Sequence, residues 1–225
     1  MDVENLLLLI TTGVNLGLAF FILFKNWRNK INFWFAATLF LIAIWSFCMA
    51  MFRASVEPSL VRIWSDLYYL MAALIALTFF YFSHAFPVEI NKLPKFTHAI
   101  TLAVTTILTV IIFSEGIVGD IRRSASYGHD VTIRPINYFL YCVYFFGFLL
   151  ISFIHLRKKM LLIPAFTKKV VKIVFYATLL SAIAGSVFDL ALPLLGNYKL
   201  IWIGPLFTVA MVFIIVRYVF IKEIQ

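Results

Sequence analysis

The sequence predicts an all-α membrane protein, a polytopic bundle of seven transmembrane helices with its N-terminus outside and its C-terminus in the cytoplasm. Three observations predict it. Hydrophobic residues fill 64% of the 225 positions and charged residues 13%, with a mean hydropathy of +1.01, whereas a water-soluble domain is about half apolar and a quarter charged. The apolar residues form long continuous runs without the period-2 alternation of barrel strands. The basic residues gather in alternate connections between those runs. In hydrocarbon a backbone satisfies its own polar groups only as a helix or a closed barrel, so continuous runs mean helices.

A helix of roughly 20 residues crosses the hydrocarbon core. The first span is expected over Asn5–Phe24 and the second over Asn32–Phe52. The third covers Leu60–Phe86 and the fourth Thr97–Ser114, which is short and threonine-rich. The fifth lies over Asn137–His155, the sixth over Val170–Leu192 and the seventh over Leu200–Phe220. Together they read as one domain over residues 1–225. The breaks have physical causes. "FKNWRNKIN", "FPVEINKLPKF" and "LRKKMLLIPAFTKKVVK" are basic connections, two of them with proline. "SEGIVGDIRRSASYGHDVTIRPIN" reads as a polar loop with glycines, and "LPLLGNYK" carries the Pro193 and Gly196 expected at a helix end.

The alternate connections that hold Lys25, Lys92, Lys158 and Arg217 carry 13 of the 19 basic residues. The opposite side holds Arg53, Arg62, Arg122, Arg123, Arg134 and Lys199. This asymmetry sets the orientation. The net charge of +9 therefore expresses topology, with the lipid bilayer as partner and no nucleic acid, which would require a soluble basic face. The acidic start "MDVENLLLLI" differs from a signal peptide, so the first span is expected to stay in the mature protein. Cys48 and Cys142 fall inside spans and read as packing residues.

Trp64 and Trp202 fall at the outer interface and Trp27 and Trp34 at the inner one, as an aromatic belt. Trp45 lies deep in the second span, as a core residue or a ligand platform. Gly13 and Gly17, Ser181 and Gly185, and Ala182 and Ser186 are spaced four apart, the pattern that lets helices approach in lipid. Asn15, in the first of these stripes, is expected to bond across to a neighbouring helix.

Charges inside spans are the candidate functional residues. Arg62 and Asp66 share one face of the third helix, with Tyr69 one turn deeper. Arg53 ends the second span and Asp189 lies near the outer end of the sixth. Topology brings these groups to one depth, with Asp66 expected to pair with Arg62 or Arg53 and Asp189 to complete the cluster. Two compatible readings stand: an ion-pair network that fixes helix register, and an outward-opening ligand pocket formed by Arg53, Arg62, Asp66, Tyr69, Asp189 and Trp45.

No His-Glu-x-x-His pair, Gly-x-Ser-x-Gly elbow or P-loop is present. The four histidines, His84, His98, His129 and His155, are scattered. The chain is therefore read as a non-enzyme without a metal or cofactor. The last span, "LIWIGPLFTVAMVFIIVRYVF", has no lysine for a retinal Schiff base.

Three stretches carry a resemblance. They are "NFWFAATLFLIAIWSFCMAMF", "RIWSDLYYLMAALIALTFFYFSHAF" and the ending "VFIIVRYVFIKEI". "SYGHDVTIRPINYFLYCVYFF", a glycine loop leading into a tyrosine-rich helix, adds to them. Together they resemble the N-terminal seven-helix sensor region of bacterial and archaeal histidine kinases over nearly the whole chain. The resemblance implies a signal-input domain in the plasma membrane. Such a domain detects an extracellular or membrane-borne cue, an unknown small ligand, and biases a cytoplasmic kinase module in cis or in trans through its last helix. By analogy with kinases it also implies a homodimer. No phosphoacceptor-histidine helix or glycine-rich ATP lid occurs before Gln225, so the chain itself is not expected to be a kinase. A small transporter or channel, and a structural membrane protein without a ligand, are the alternatives.

Overall fold

The computed structural model describes residues 2–114, 116–124 and 128–221. Lys222 and the centre of the polar loop, residues 125–127, lie outside the described residues. Among the described residues, seven helices are long and apolar enough to cross a membrane. They are α1 (Val3–Lys25), α2 (Lys30–Ala54), α3 (Pro58–Ala85), α4 (Lys95–Ser114), α5 (Pro135–Leu162), α6 (Ala165–Gly185) and α7 (Ile203–Ile215). α6 continues through a π-helical turn, Ser186–Ala191, into Leu192–Leu194, and α7 continues through a second π-helical turn, Val216–Ile221.

Local chemistry sets the ends. Asp2 caps α1 by accepting from the Asn5 amide at 2.9 Å, and Asn29 caps α2 by accepting from the Ile31 amide at 2.8 Å. Pro58 and Pro135 open α3 and α5, where a missing N–H costs no helical bond. The sixth span ends at Gly196, whose φ of 79° is open to glycine and strained for other residues. The amides of Gly196 and Asn197 turn back onto the carbonyls of Pro193 and Leu192, closing the exposed end of the helix.

α2 packs along both α1 and α3, α3 also meets α5, and α7 lies against α6 and α1. Two apolar clusters fill the bundle. One, toward the Val3 end of α1, gathers Met49, Val61, Ala73 and Ile112, and the other, toward its Lys25 end, gathers Phe35, Leu39, Phe82 and Val212. Large apolar side chains such as Leu102, Ile107, Phe139 and Leu150 face outward. In water that surface would drive aggregation, whereas in a bilayer it is the lipid-facing side.

The polar loop is not wholly irregular. It folds into an antiparallel hairpin of β1 (Val118–Ser124) and β2 (Gly128–Ile133), with Ile121 opposite Val131 and an irregularity between Val118 and Ile121. Two further expectations need correction. Gly13 and Gly17 are exposed and have no atom within 4 Å of where a Cβ would stand, so this stripe draws no helix of the same chain close. Asn15 is fully buried, yet its Nδ2 donates to the Thr11 carbonyl of its own helix at 2.9 Å. Its separation from Gly13 and Gly17 follows from the 3.6-residue turn, which puts position 15 on the opposite face.

Candidate functional site: a carboxylate in an apolar cavity

The charged residues singled out from the sequence part company. Arg53 is buried and turns toward the start of the chain, bonding Glu4, Asn5 Oδ1 at 3.1 Å and Asp2 Oδ2 at 3.4 Å. The acidic "MDVEN" segment thus provides counter-charges for Arg53. Arg62 reaches the hairpin instead, donating to the carbonyl of Val118 and, at 2.7 Å, to that of Gly119. Neither arginine closes the ion pair expected for Asp66. That carboxylate is buried, and its Oδ1 has no hydrogen-bond partner among the described residues. The reason is local. Gly116, at φ 75°, carries the chain past α3 so closely that a Cβ there would lie 2.9 Å from Arg62 Nη1 and 3.9 Å from Asp66 Oδ1. The carbonyls of Val118 and Gly119, at the start of β1, therefore stand within reach of the guanidinium and take it. His129 Nε2 lies 2.8 Å from the Ser55 carbonyl, and Asn137 Nδ2 donates to the Gly116 carbonyl at 2.9 Å. Arg62, His129 and Asn137 together pin the hairpin onto the ends of α2, α3 and α5.

Asp189 occupies a different environment. It sits in the π-helical turn that continues α6 and is 3% exposed. Neither carboxylate oxygen has a hydrogen-bond partner among the described residues. A π-helical turn inserts one extra residue and re-aims backbone groups, a device frequent at functional sites. Here the Tyr138 hydroxyl donates to the Leu190 carbonyl at 2.9 Å, and the Tyr68 hydroxyl lies 3.4 Å from the Asp189 carbonyl. The turn is thereby held from α3 and α5 while its carboxylate points inward. Gly204 of α7 makes room for it, because a Cβ there would lie 1.6 Å from Asp189 Oδ2.

The carboxylate faces a cavity of about 100 Å³ at the junction of the two apolar clusters. Five helices line it, represented by Trp45 from α2, Tyr68 from α3, Tyr141 from α5, Thr178 and Ser181 from α6, and Thr208 from α7. Trp45 Nε1 and Thr178 Oγ1 are buried and, like the carboxylate, have no hydrogen-bond partner among the described residues. A smaller cavity of about 20 Å³ lies under the hairpin, lined by Tyr69, Val118, Val131, Tyr198 and again Asp189. Of the six residues singled out from the sequence, Trp45, Tyr69 and Asp189 thus line cavities. Arg53, Arg62 and Asp66 line neither; Arg53 ties the start of α1 to the end of α2, and Arg62 ties α3 to the hairpin.

The end of the bundle opposite the hairpin carries a contact that charge counting missed. Lys159 was expected as one of the cytoplasmic positive charges, yet it is 5% exposed. Its Nζ donates to the carbonyls of Ser83 at 3.1 Å, Phe86 at 2.7 Å and His84. These carbonyls end α3 and would otherwise lack partners, so a lysine from α5 caps α3 in space. Outside the spans, Glu89 accepts from Lys30, at the first position of α2, with Oε2 2.7 Å from Nζ, and the ammonium holds that carboxyl below its usual range. Lys25 of α1 donates to the Phe220 carbonyl in the π-helical turn that ends α7.

A family model described as the N-terminal 7TM region of histidine kinase matches residues 7–222. Neither the curated proteins nor the solved structures contain a match.

Proposed function

Because the chain belongs to the family of N-terminal seven-transmembrane regions of histidine kinases, we propose that it is the signal-input domain of such a protein, with the central cavity as its receptor site. The matched region is a membrane region and not a catalytic one, so the chain's own contribution is to bind and to relay. In this reading the N-terminus and the hairpin lie outside, and a small extracellular or membrane-borne ligand enters between the helices. Its contacts are Trp45 and Asp189 in the main cavity, with Tyr69 above. A kinase module in the cytoplasm, in cis or in trans, receives the output, and a homodimer supplies the usual arrangement for such a module.

One observation carries the proposal. The wall of the cavity includes Gly204, Thr208 and Met211, all on the helix that runs on to the C-terminal end. An occupant in contact with α7 and with α2, α3, α5 and α6 has differential contacts in any two arrangements of these helices, which is the physical requirement for a ligand to shift their populations. The test is to fill the cavity from α7. Thr208→Leu and Met211→Phe, joined to a kinase module, should change autophosphorylation at equal membrane abundance. A lipid-facing control, Phe213→Leu, should not, since Phe213 is exposed on the same helix. Output indifferent to both cavity substitutions would overturn the proposal.

A further inference from the structure

We infer that the central cavity is built for a small organic cation, a short alkylammonium whose charged end rests on the Asp189 carboxylate. The inference takes its biological meaning from the sensor reading above, while its test reads binding alone.

The first observation is the missing counter-charge. Asp189 is almost wholly buried, and both side-chain oxygens lack a partner among the described residues. No lysine, arginine or histidine is among the described residues lining the cavity. The nearby arginines are committed elsewhere, Arg53 to Asp2 and Glu4 and Arg62 to the hairpin carbonyls. A buried carboxylate without a cation or a strong donor is among the costliest arrangements in a protein. An ionisable group inside a membrane bundle normally faces a partner. A cationic or strongly donating group, which none of the described residues supplies, would satisfy both oxygens.

The second observation is the character of the wall, which chooses between kinds of cation. A calcium or magnesium ion requires about six oxygen ligands. No group of three His, Cys, Asp or Glu side chains that could hold a metal occurs among the described residues. Apart from Asp189, the cavity presents Ile42, Ala72, Phe79, Leu149 and similar apolar side chains with a few hydroxyls. Such a wall suits methyl and methylene groups. Trp45, Tyr68 and Tyr141 add aromatic rings to the same lining, and ring faces attract an ammonium group. Thr178 Oγ1, without a partner among the described residues, is a further acceptor for an N–H.

The third observation is size. The cavity of about 100 Å³ is smaller than the engineered apolar cavity of about 150 Å³ that takes up benzene. A cation with about four carbon atoms matches it, so butylammonium is the probe.

The experiment uses the purified chain in nanodiscs at neutral pH. Thermal unfolding is followed against butylammonium chloride, with 1-butanol as the neutral analogue and sodium chloride at equal ionic strength. Butylammonium should raise Tm saturably below about 10 mM, in the range of a millimolar or tighter site, and neither control should do so. Asp189→Asn removes an uncompensated charge and keeps the shape, so it should fold and bind butylammonium at least tenfold more weakly. Should that variant fail to fold, Thr208→Leu keeps the carboxylate but narrows the cavity, and should weaken butylammonium more than methylammonium. Equal stabilisation by butanol, undiminished binding to Asp189→Asn, indifference of both amines to Thr208→Leu, or no saturable shift with butylammonium would each overturn the inference. Its failure is distinct from that of the sensor reading. Cavity-filling variants that still move kinase output while no amine binds would remove only the cation, and amine binding without any effect on output would remove only the sensor.

Discussion

Asp189 and Gly204 are placed so that one excludes a side chain on the other: a Cβ on Gly204 would stand 1.6 Å from Asp189 Oδ2 and 2.5 Å from its Cγ. The carboxylate therefore lies against the backbone of α7 at a point where only glycine fits. Gly204→Ala must displace the π-helical turn or the start of α7, at a cost of about 1–3 kcal/mol for an overpacked core position. Removing the obstacle should relieve that cost. In a double-mutant cycle read by thermal unfolding in detergent, Gly204→Ala should be far less destabilising in an Asp189→Ala background, with a coupling of about 1 kcal/mol or more. Additive effects would mean that the two residues do not meet.

The outer charges lead to a second prediction, opposite to the one that a cluster at a single depth suggests. Asp66 holds no ion pair with Arg62 or Arg53, so Asp66→Asn should not incur the loss of about 3–5 kcal/mol that follows breaking a buried pair. Arg53→Gln should cost more, about 2 kcal/mol. It strands Glu4 and Asp2, whose side chains are 32% and 53% exposed and so recover part of their hydration, which keeps the loss below that of a fully buried pair. Arg62→Gln should act locally, raising hydrogen exchange in β1 with little effect on the inner halves of the helices. A larger loss from Asp66→Asn than from Arg53→Gln would restore the original pairing.

Lys159 supports a third. With its Nζ on the last carbonyls of α3, Lys159→Met keeps the stem's packing and removes only the donors. Hydrogen bonds to charged groups are worth about 1.5–3 kcal/mol, and carbonyls left buried add to the loss. A fall of about 3 kcal/mol in unfolding free energy is expected, whereas Lys158→Met, on the neighbouring exposed position, should be close to neutral. Equal effects of the two changes would return Lys159 to the set of plain topological charges.

How much of this was legible in the sequence depends on whether the signal is carried within one helix or between helices. Hydropathy sums over a window of adjacent residues, so the spans and the glycine end at Gly196 could be read. The hairpin was not, because its pairing residues, such as Ile121 and Val131, sit in short segments rich in charges and glycine with little apolar alternation. Depth placed Arg53, Arg62, Asp66 and Asp189 together, yet depth says nothing about which way a side chain turns. The competing acceptors, Glu4 for Arg53 and the Val118 carbonyl for Arg62, are remote in sequence. Lys159 looked like its neighbours Lys158 and Arg157, since only the rotation of α5 against α3 separates a capping lysine from a solvated one. Gly204 lies within the apolar seventh span "LIWIGPLFTVAMVFIIVRYVF", and its role, making room for a carboxylate from α6, exists only in the packed bundle.

Orientation supplies a fourth prediction, resting on the distribution of basic residues. In a background lacking Cys48 and Cys142, single cysteines at Asn197 and at Lys158, both exposed, should label differently in intact cells. An impermeant maleimide should modify position 197 and leave position 158 untouched until the membrane is opened. The reverse pattern would place the hairpin in the cytoplasm and turn the bundle over.

The last prediction concerns the exit of α7. Lys25 of α1 donates to the Phe220 carbonyl, and the Phe220 ring stacks on Phe35 of α2 with centroids 5.1 Å apart. The π-helical turn Val216–Ile221 is thereby held against α1 and α2 at the point where a signal would leave the bundle. If that turn is the output element, its rotational phase matters to whatever follows. Each residue inserted after Gln225, ahead of a kinase module, rotates the attachment by about 100° in a helix of 3.6 residues per turn. Autophosphorylation should then vary periodically across insertions of one to four residues and return near its starting value at four. Lys25→Gln should shift the basal level without abolishing this periodicity, because it loosens the tether and leaves the helix intact. A flat response across the series, at equal membrane abundance, would rule out helical coupling and point to a flexible connection between the bundle and its output.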